Sequence, residues 1–290
     1  MTPLEEPVGR LVVCPTPIGN LEDITLRVLA ALRGADLVAC EDTRRTAALL
    51  RRHGIEARMV SLHEHNESAR APALLRQMRA GSVVALVSDA GTPLISDPGY
   101  ALVREVLAAG IALEVLPGPS AVLTALVASG LPAERWRFAG FLPRRGAELQ
   151  RLLDAEETLV AFESPRRLAG TLTLLAARDP QRPVAVCREL TKLHEEVIRG
   201  SARELSARFA AGAPKGEVAL VIGAAPVSAR PHEEALAALG ELVEAGAKPR
   251  AAATVLARLT GVRANELYGA LTRARGETRG AARGRGRAEQ

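Results

Sequence analysis

The sequence predicts an α/β fold: two α/β domains followed by a small helical extension. Three observations lead there. Short apolar runs alternate with amphipathic stretches as far as Gly223, the pattern of strands and crossover helices in mostly parallel sheets. Pro117-Gly118-Pro119 interrupts the alternation and divides it into halves. Past Gly223 the strand signals stop and only helical patterns continue.

In the first half, Leu11–Thr16, Leu37–Cys40, Met59–Leu62, Val83–Ser88 and Leu113–Leu116 read as buried strands. Ile24–Gly34, Thr46–His53, Ala69–Arg79 and Tyr100–Ala109 read as the helices between them. Gly54, Gly81 and Gly110 are helix stops, because glycine takes the left-handed conformation without a Cβ clash. In the second half, Ser120–Ser129 is an apolar helix. Arg137–Phe141, Leu159–Glu163, Val184–Arg188, Glu195–Arg199 and Glu217–Ile222 read as strands, with helices at Arg166–Arg178 and Ala202–Ala211. The short link before Glu195 predicts a mixed sheet. After a linker at Ala224–Pro231, His232–Ala245, Pro249–Thr260 and Asn265–Thr272 read as short helices. The chain then divides as 1–118, 119–224, 232–272 and a basic, disordered tail, 273–290.

Composition sets outer bounds. The chain's 290 residues are 48% hydrophobic and 24% charged, which suits a globular protein. The longest uncharged stretch, Val115–Ala133, is broken by glycine and proline and cannot be one membrane helix. The first nine residues lack a signal-peptide pattern. Three well-separated cysteines argue against a disulfide framework and for a reducing cytoplasm. Net charge is +5, but Leu271–Gln290 alone carries six arginines and two glutamates, leaving the rest near neutral. Such a tail suits a polyanion such as RNA, or a solvated, solubilising end.

In an open α/β sheet, ligands bind beyond the carboxyl ends of the strands. Here three of those ends are rich in glycine and proline: Pro15–Asn20, Ser88–Gly99 and Leu116–Ala121. Such loops let backbone N–H groups approach a ligand closely. Other chemistries lack their signatures. There is no G-x-G-x-x-G after the first strand, no P-loop and no G-x-S-x-G nucleophile. His63 and His65 have no cysteine companions, so no metal site is expected.

The segments Pro15–Thr25, Glu41-Asp42-Thr43-Arg44, His63-Glu64-His65-Asn66, Ser88–Gly99, Leu116–Ala121, Phe162–Arg167, Glu189-Leu190-Thr191-Lys192 and Lys215-Gly216-Glu217 occur in this order. As an ordered set they resemble an rRNA-modifying subgroup of the tetrapyrrole (corrin/porphyrin) methylase superfamily, over Leu11–Gly223. The last helices resemble that subgroup's helix-turn-helix extension more weakly. One departure from the corrin enzymes is Asp89-Ala90-Gly91 in place of Gly-Asp-Pro. It matches the ribosomal subgroup and bears on substrate rather than cofactor.

The resemblance implies two α/β domains with S-adenosylmethionine in the cleft between them, in a cytoplasmic homodimer. It implies 2′-O-methylation of a decoding-centre cytidine in 16S rRNA, within the 30S subunit. Pro17, Gly19, Asp89, Ala90, Gly91, Thr92, Ser120, Ala121, Phe162, Gly216, Glu217 and Val218 are the implied cofactor contacts. Alternatives are a tetrapyrrole methyltransferase and a non-enzymatic RNA-binding module. Attack by a ribose hydroxyl needs in-line positioning and a proton acceptor. Asp42, Glu64, His65 and Glu189 follow predicted strands and are candidates, with Lys192 as an oxyanion or phosphate partner. Each has a plainer reading: a helix cap for Asp42, turn structure for the histidines, an ion pair for Glu189 and Lys192. Arg144, Arg145, Arg166 and Arg167 suit RNA phosphates or a solvated face. With only seven aromatic residues, no aromatic base-stacking platform is expected.

Overall fold

Strand β1 (Arg10–Val13), β2 (Leu37–Cys40), β3 (Met59–Ser61), β4 (Val83–Val87) and β5 (Ala112–Val115) form the first sheet. Its order is β3-β2-β4-β1-β5, and every pairing is parallel. The computed structural model describes residues 9–144, 146–225 and 230–273. It forms two compact units that divide after Ala224.

A parallel sheet covered on both faces buries its central strands, so β1, β2 and β4 read as continuous apolar runs. The edge strands β3 and β5, also expected to be buried, are only partly so because each has a neighbour on one side alone. The period of two still decides which helix each residue meets. Val12, Cys14, Val38, Cys40, Ala85 and Val87 share a core with α1 (Leu26–Arg33) and α2 (Thr43–Arg52). Their neighbours Leu11, Val13, Leu37, Ala39, Val84 and Leu86 pack on α3 (Glu67–Arg79) and α4 (Tyr100–Ala108). Helix α4 is preceded at its cap position by Gly99, which has no side chain to cap it. Buried Glu67 of α3 supplies the acceptor instead, taking the amide of Leu102 at 2.9 Å.

The second sheet is mixed, as the short link before Glu195 implied. Strands β6 (Trp136–Phe141), β7 (Thr158–Glu163), β8 (Pro183–Arg188), β9 (Glu196–Ser201) and β10 (Val218–Ile222) lie in the order β6-β7-β10-β8-β9. Only β6 and β7 run parallel. One face packs on α6 (Ala147–Leu153), α7 (Pro165–Arg178) and α8 (Ala202–Phe209). The other carries α5 (Ala121–Ser129), together with Ile18 from the loop after β1. That inserted side chain ties the first sheet's loops to the second sheet.

Helix α6 has no counterpart in the sequence reading. Its fully buried anchors are Leu149 and Leu153, one helical turn apart, too few to establish a period. Helix α2 starts at Thr43 rather than Thr46, because the Asp42 carboxylate caps it by accepting the Arg44 amide at 2.8 Å. The second unit contains α9 (Arg230–Glu244), α10 (Pro249–Thr260) and a helical run over 264–273. Ala235, Leu239, Ala252, Leu256, Leu267 and Leu271 form its own core. The basic tail from 274 onward, and Arg145, lie outside the described residues. Among the described residues no helix is long and apolar enough to cross a membrane.

Candidate active site

Because β4, β1 and β5 are adjacent and parallel, their three carboxyl-end loops emerge side by side. Hydrogen bonds stitch them together. Thr16 and Gly91 exchange backbone bonds of 2.8 and 2.9 Å. The Thr16 hydroxyl donates to Ser88 O at 3.0 Å, and the Thr92 hydroxyl donates to Pro119 O at 3.1 Å. Gly118 lies so close to Pro15 that a Cβ would sit 2.6 Å from the proline Cβ. Chain reversal at β1 and β4, whose helices leave toward opposite edges of the sheet, opens a crevice there.

That crevice is a cavity of about 300 Å³ between the loops and the second sheet. This is the lower end of the range of small-molecule pockets, about 300–1,000 Å³. Ala90, Gly91 and Thr92 line it from the β4 loop, and Ser120 and Ala121 from the start of α5. Phe162 contributes from β7, and Gly216, Glu217 and Val218 from the entry to β10. Nine of the twelve implied cofactor contacts therefore share one cavity. Pro17, Gly19 and Asp89 are not among its lining residues. Pro17 is buried just before Ile18, which does line it. Gly19 abuts the turn at Leu190–Lys192, where a Cβ would meet the Thr191 hydroxyl at 2.7 Å. Asp89 turns toward β2: its carboxylate accepts the Asp42 amide at 2.9 Å and lies 3.4 Å from Arg45.

The five candidate catalytic side chains, Asp42, exposed Glu64, His65, Glu189 and Lys192, also lie outside the lining. Asp42 caps α2 and is held by the Arg44 guanidinium at 2.8 Å. The guanidinium hydrogen bond first, then the Arg44 amide, hold its carboxyl down at about 2, which makes it a weak proton acceptor. His65 is exposed, with its ring 6.0 Å from that of His63. Glu189 and Lys192 form a brace. Lys192 Nζ donates to Glu189 and Glu217 at 2.9 Å each, and Glu189 also accepts the Glu217 amide at 3.0 Å. The Lys192 hydrogen bond is the main cause that lowers the Glu189 carboxyl, and both carboxylates together raise the Lys192 ammonium against its desolvation. Gly216 fits against this brace only because it lacks a Cβ, which would lie 2.2 Å from Glu189 Oε1.

The structure adds residues that the sequence reading did not single out. Asp97, Ile18, Ile95, Phe141 and Glu163 line the cavity. Asp97 stands near Glu41, Ser88 and Asp89; burial first, then the Glu41 carboxylate, push its carboxyl up to about 6. Its only sequence signal is membership of the long Ser88–Gly99 loop. Glu163 is 3% exposed, and its carboxylate accepts from the Thr171 hydroxyl at 2.6 Å and pairs with Arg167 at 3.2 Å. Arg167 in turn donates to Leu142 O and Pro143 O at 2.8 Å. It is therefore an internal tether, whereas Arg144 and Arg166 are exposed.

The donor set suits a ligand that is cationic at one point and apolar elsewhere. Asp97 is a carboxyl surrounded by other carboxylates, and a positive ligand would relieve it. Ile18, Val122, Phe162 and Leu190 offer apolar wall. These residues fit a sulfonium nucleoside.

Comparison with known proteins gives three kinds of likeness. The model of the tetrapyrrole (corrin/porphyrin) methylases matches residues 10–206. A Mycobacterium bovis protein named "Ribosomal RNA small subunit methyltransferase I" is 47% identical over 285 residues, covering 94% of this chain and 98% of that one. The protein of the same name from Escherichia coli O157:H7 is 43% identical, covering 90% and 93%. A solved uroporphyrin III C-methyltransferase from Thermus thermophilus, complexed with S-adenyl homocysteine, aligns with a TM-score of 0.54 at 22% identity, covering 73% and 97%. That last likeness is one of fold.

Proposed function

This chain belongs to the tetrapyrrole (corrin/porphyrin) methylase family, and from that premise we propose that it methylates the ribose 2′-hydroxyl of a decoding-centre cytidine in 16S rRNA. S-adenosylmethionine is the methyl donor. The observation that carries the reading is the stitched crevice, which gathers three glycine-rich loops, an acidic group and an apolar wall around one cavity. The names of the near-full-length relatives support ribosomal RNA as the substrate.

When bound, S-adenosylmethionine supplies a methyl group on a positively charged sulfur, already activated for transfer. The chain's own work is to hold and shield. Asp97 presents negative charge to the cationic part of the ligand. Backbone groups at Ala90–Thr92 and Gly216–Val218 meet its polar edges, with Pro17, Gly19 and Asp89 keeping the neighbouring loops in place. Glu189 and Lys192 act as positioning residues by bracing Glu217. Ile18, Val122 and Phe162 exclude water from the reacting region. Exposed Arg144 and Arg166 meet RNA phosphates near the opening. The target nucleotide must leave its stack to bring its 2′-hydroxyl into such a cavity. Pairing of two copies, action on the assembled 30S subunit and a cytoplasmic location belong to the same proposal.

Purified protein should methylate 30S subunits from a strain lacking its gene, and mass spectrometry should find the label as 2′-O-methylcytidine. Labelling of a base atom, or of no RNA at all while a tetrapyrrole is methylated, would overturn the assignment. Sedimentation of the protein alone as a monomer would remove the dimer.

A further inference from the structure

The opening of the cavity carries an aromatic ring whose exposure packing does not explain. Phe141 ends β6 and lines the cavity, yet it is 66% exposed. A break in strand register places it there. Between Phe138 and Phe141 the pairing of β6 with β7 shifts, and Gly140 takes a φ of +64°. Without that shift, alternation would send Phe138 and Phe141 to opposite faces of the sheet. Ala139 does pack into the core on the far face. The bulge instead returns Phe141 to the side of Phe138 and Phe162, with ring centroids 5.4 Å from Phe162, which is itself 5.1 Å from Phe138. Bulges beside functional sites commonly re-aim a side chain in this way.

The surroundings point to what the ring receives. From the loop after β4, Ile95 is 46% exposed and lines the same cavity. Gly140 lies against Ser96, 3.7 Å from a Cβ at that position to the serine hydroxyl. The two apolar side chains therefore come from abutting segments of the two sheets. Exposed Arg144 follows Phe141 by three residues, and exposed Arg166 opens α7 next to Pro165, another lining residue. The intervening carbonyls of Leu142 and Pro143 are pinned by Arg167. A flat apolar face open to solvent, with exposed arginines within three residues of lining positions, matches an unstacked nucleobase carrying its phosphates.

We infer that Phe141 is the stacking platform for the base of the extruded nucleotide, with Arg144 and Arg166 holding the adjoining phosphates. The inference rests on the RNA reading above and adds the subsite that reading lacks. It also revises the expectation, drawn from aromatic count alone, that no stacking platform exists. One well-placed ring is enough for one base.

The test compares Phe141→Ala, Phe141→Leu and Phe141→Trp with the unmodified protein. Substrate is 30S subunits lacking the methyl group, and S-adenosylmethionine affinity is measured separately by calorimetry. Loss of one base–aromatic stack should lower kcat/KM for 30S about 5- to 150-fold in the alanine and leucine variants. Phe141→Trp should stay within about threefold, and cofactor affinity should stay within about twofold throughout. Normal turnover by Phe141→Leu would overturn the proposal, since bulk alone would then suffice. Equal loss of cofactor affinity would also overturn it, making Phe141 a wall of the cofactor site. A second readout is independent of catalysis: a cytidine-containing single-stranded oligoribonucleotide should quench the fluorescence of Phe141→Trp beyond any effect on native Trp136. Quenching without 30S methylation would keep the platform and refute the substrate assignment. Absence of quenching would refute the platform.

Discussion

Asp97 shows how a single carboxyl can report on a site. Its folded pKa of about 6 lies above its ordinary value of 3.8 because burial and Glu41 disfavour the charge. The stability contributed by its neutral form is therefore full below about pH 4 and is lost as pH rises through 6. Asp97→Asn should raise the melting temperature of the ligand-free protein at pH 8 by about 2–4 °C, with little change at pH 4. A thermal-denaturation series across that range checks the sign; a gain at pH 4 equal to that at pH 8 would refute it. The same variant should weaken S-adenosylmethionine binding by more than tenfold in calorimetry. Glu163 and Arg167 make the opposite kind of pair, one whose charge is satisfied. Arg167→Ala leaves the buried carboxylate without its counter-charge, and urea denaturation should show a loss of about 2–3 kcal/mol.

At the scale of elements, contacts between separate segments hold the site's loops and a helix start in place. Gly216 joins a φ of +89° to a contact with Glu189 that excludes a Cβ. Gly216→Ala should displace the Glu189–Lys192–Glu217 brace and weaken cofactor binding by about tenfold or more. Its far-ultraviolet circular dichroism should match the parent, since strand β10 begins after this turn. A variant binding the cofactor normally would show that the brace has no influence on the site. Helix α4 supplies the second case. It borrows its cap from Glu67 on α3, so Glu67→Ala should cost about 1–2 kcal/mol, the worth of a helix cap. Unfolding unaffected by that change would mean that water caps the helix equally well.

On the scale of the whole molecule, the two units have separate cores. Chain ending at Ala224 should therefore keep S-adenosylmethionine affinity within about twofold of the full chain. The basic tail is absent from such a truncation, and its affinity for 30S subunits should fall, with a shallower dependence on salt. Titrations at several salt concentrations check both; an unchanged salt slope would show that the tail takes no part.

The sequence by itself determined the layered α/β fold, the helical extension and the loops that form the site. Apolar runs between amphipathic stretches leave little choice of layers, and Gly54 and Gly110, with φ of +61° and +66°, end their helices where a glycine stop was expected. The ordered segments from Pro15 to Glu217 carried the family. Tertiary structure alone decided which side chains of those loops face the cavity. Asp42 and Asp89 stand at strand ends like any site residue, yet their carboxylates serve a helix cap and a neighbouring amide. Asp97 and Phe141 enter the site through a long loop and a bulge, neither of which has a period to read. The physical reason is range: hydrophobic periodicity is a local property of the chain, whereas the direction of a polar side chain depends on partners tens of residues away.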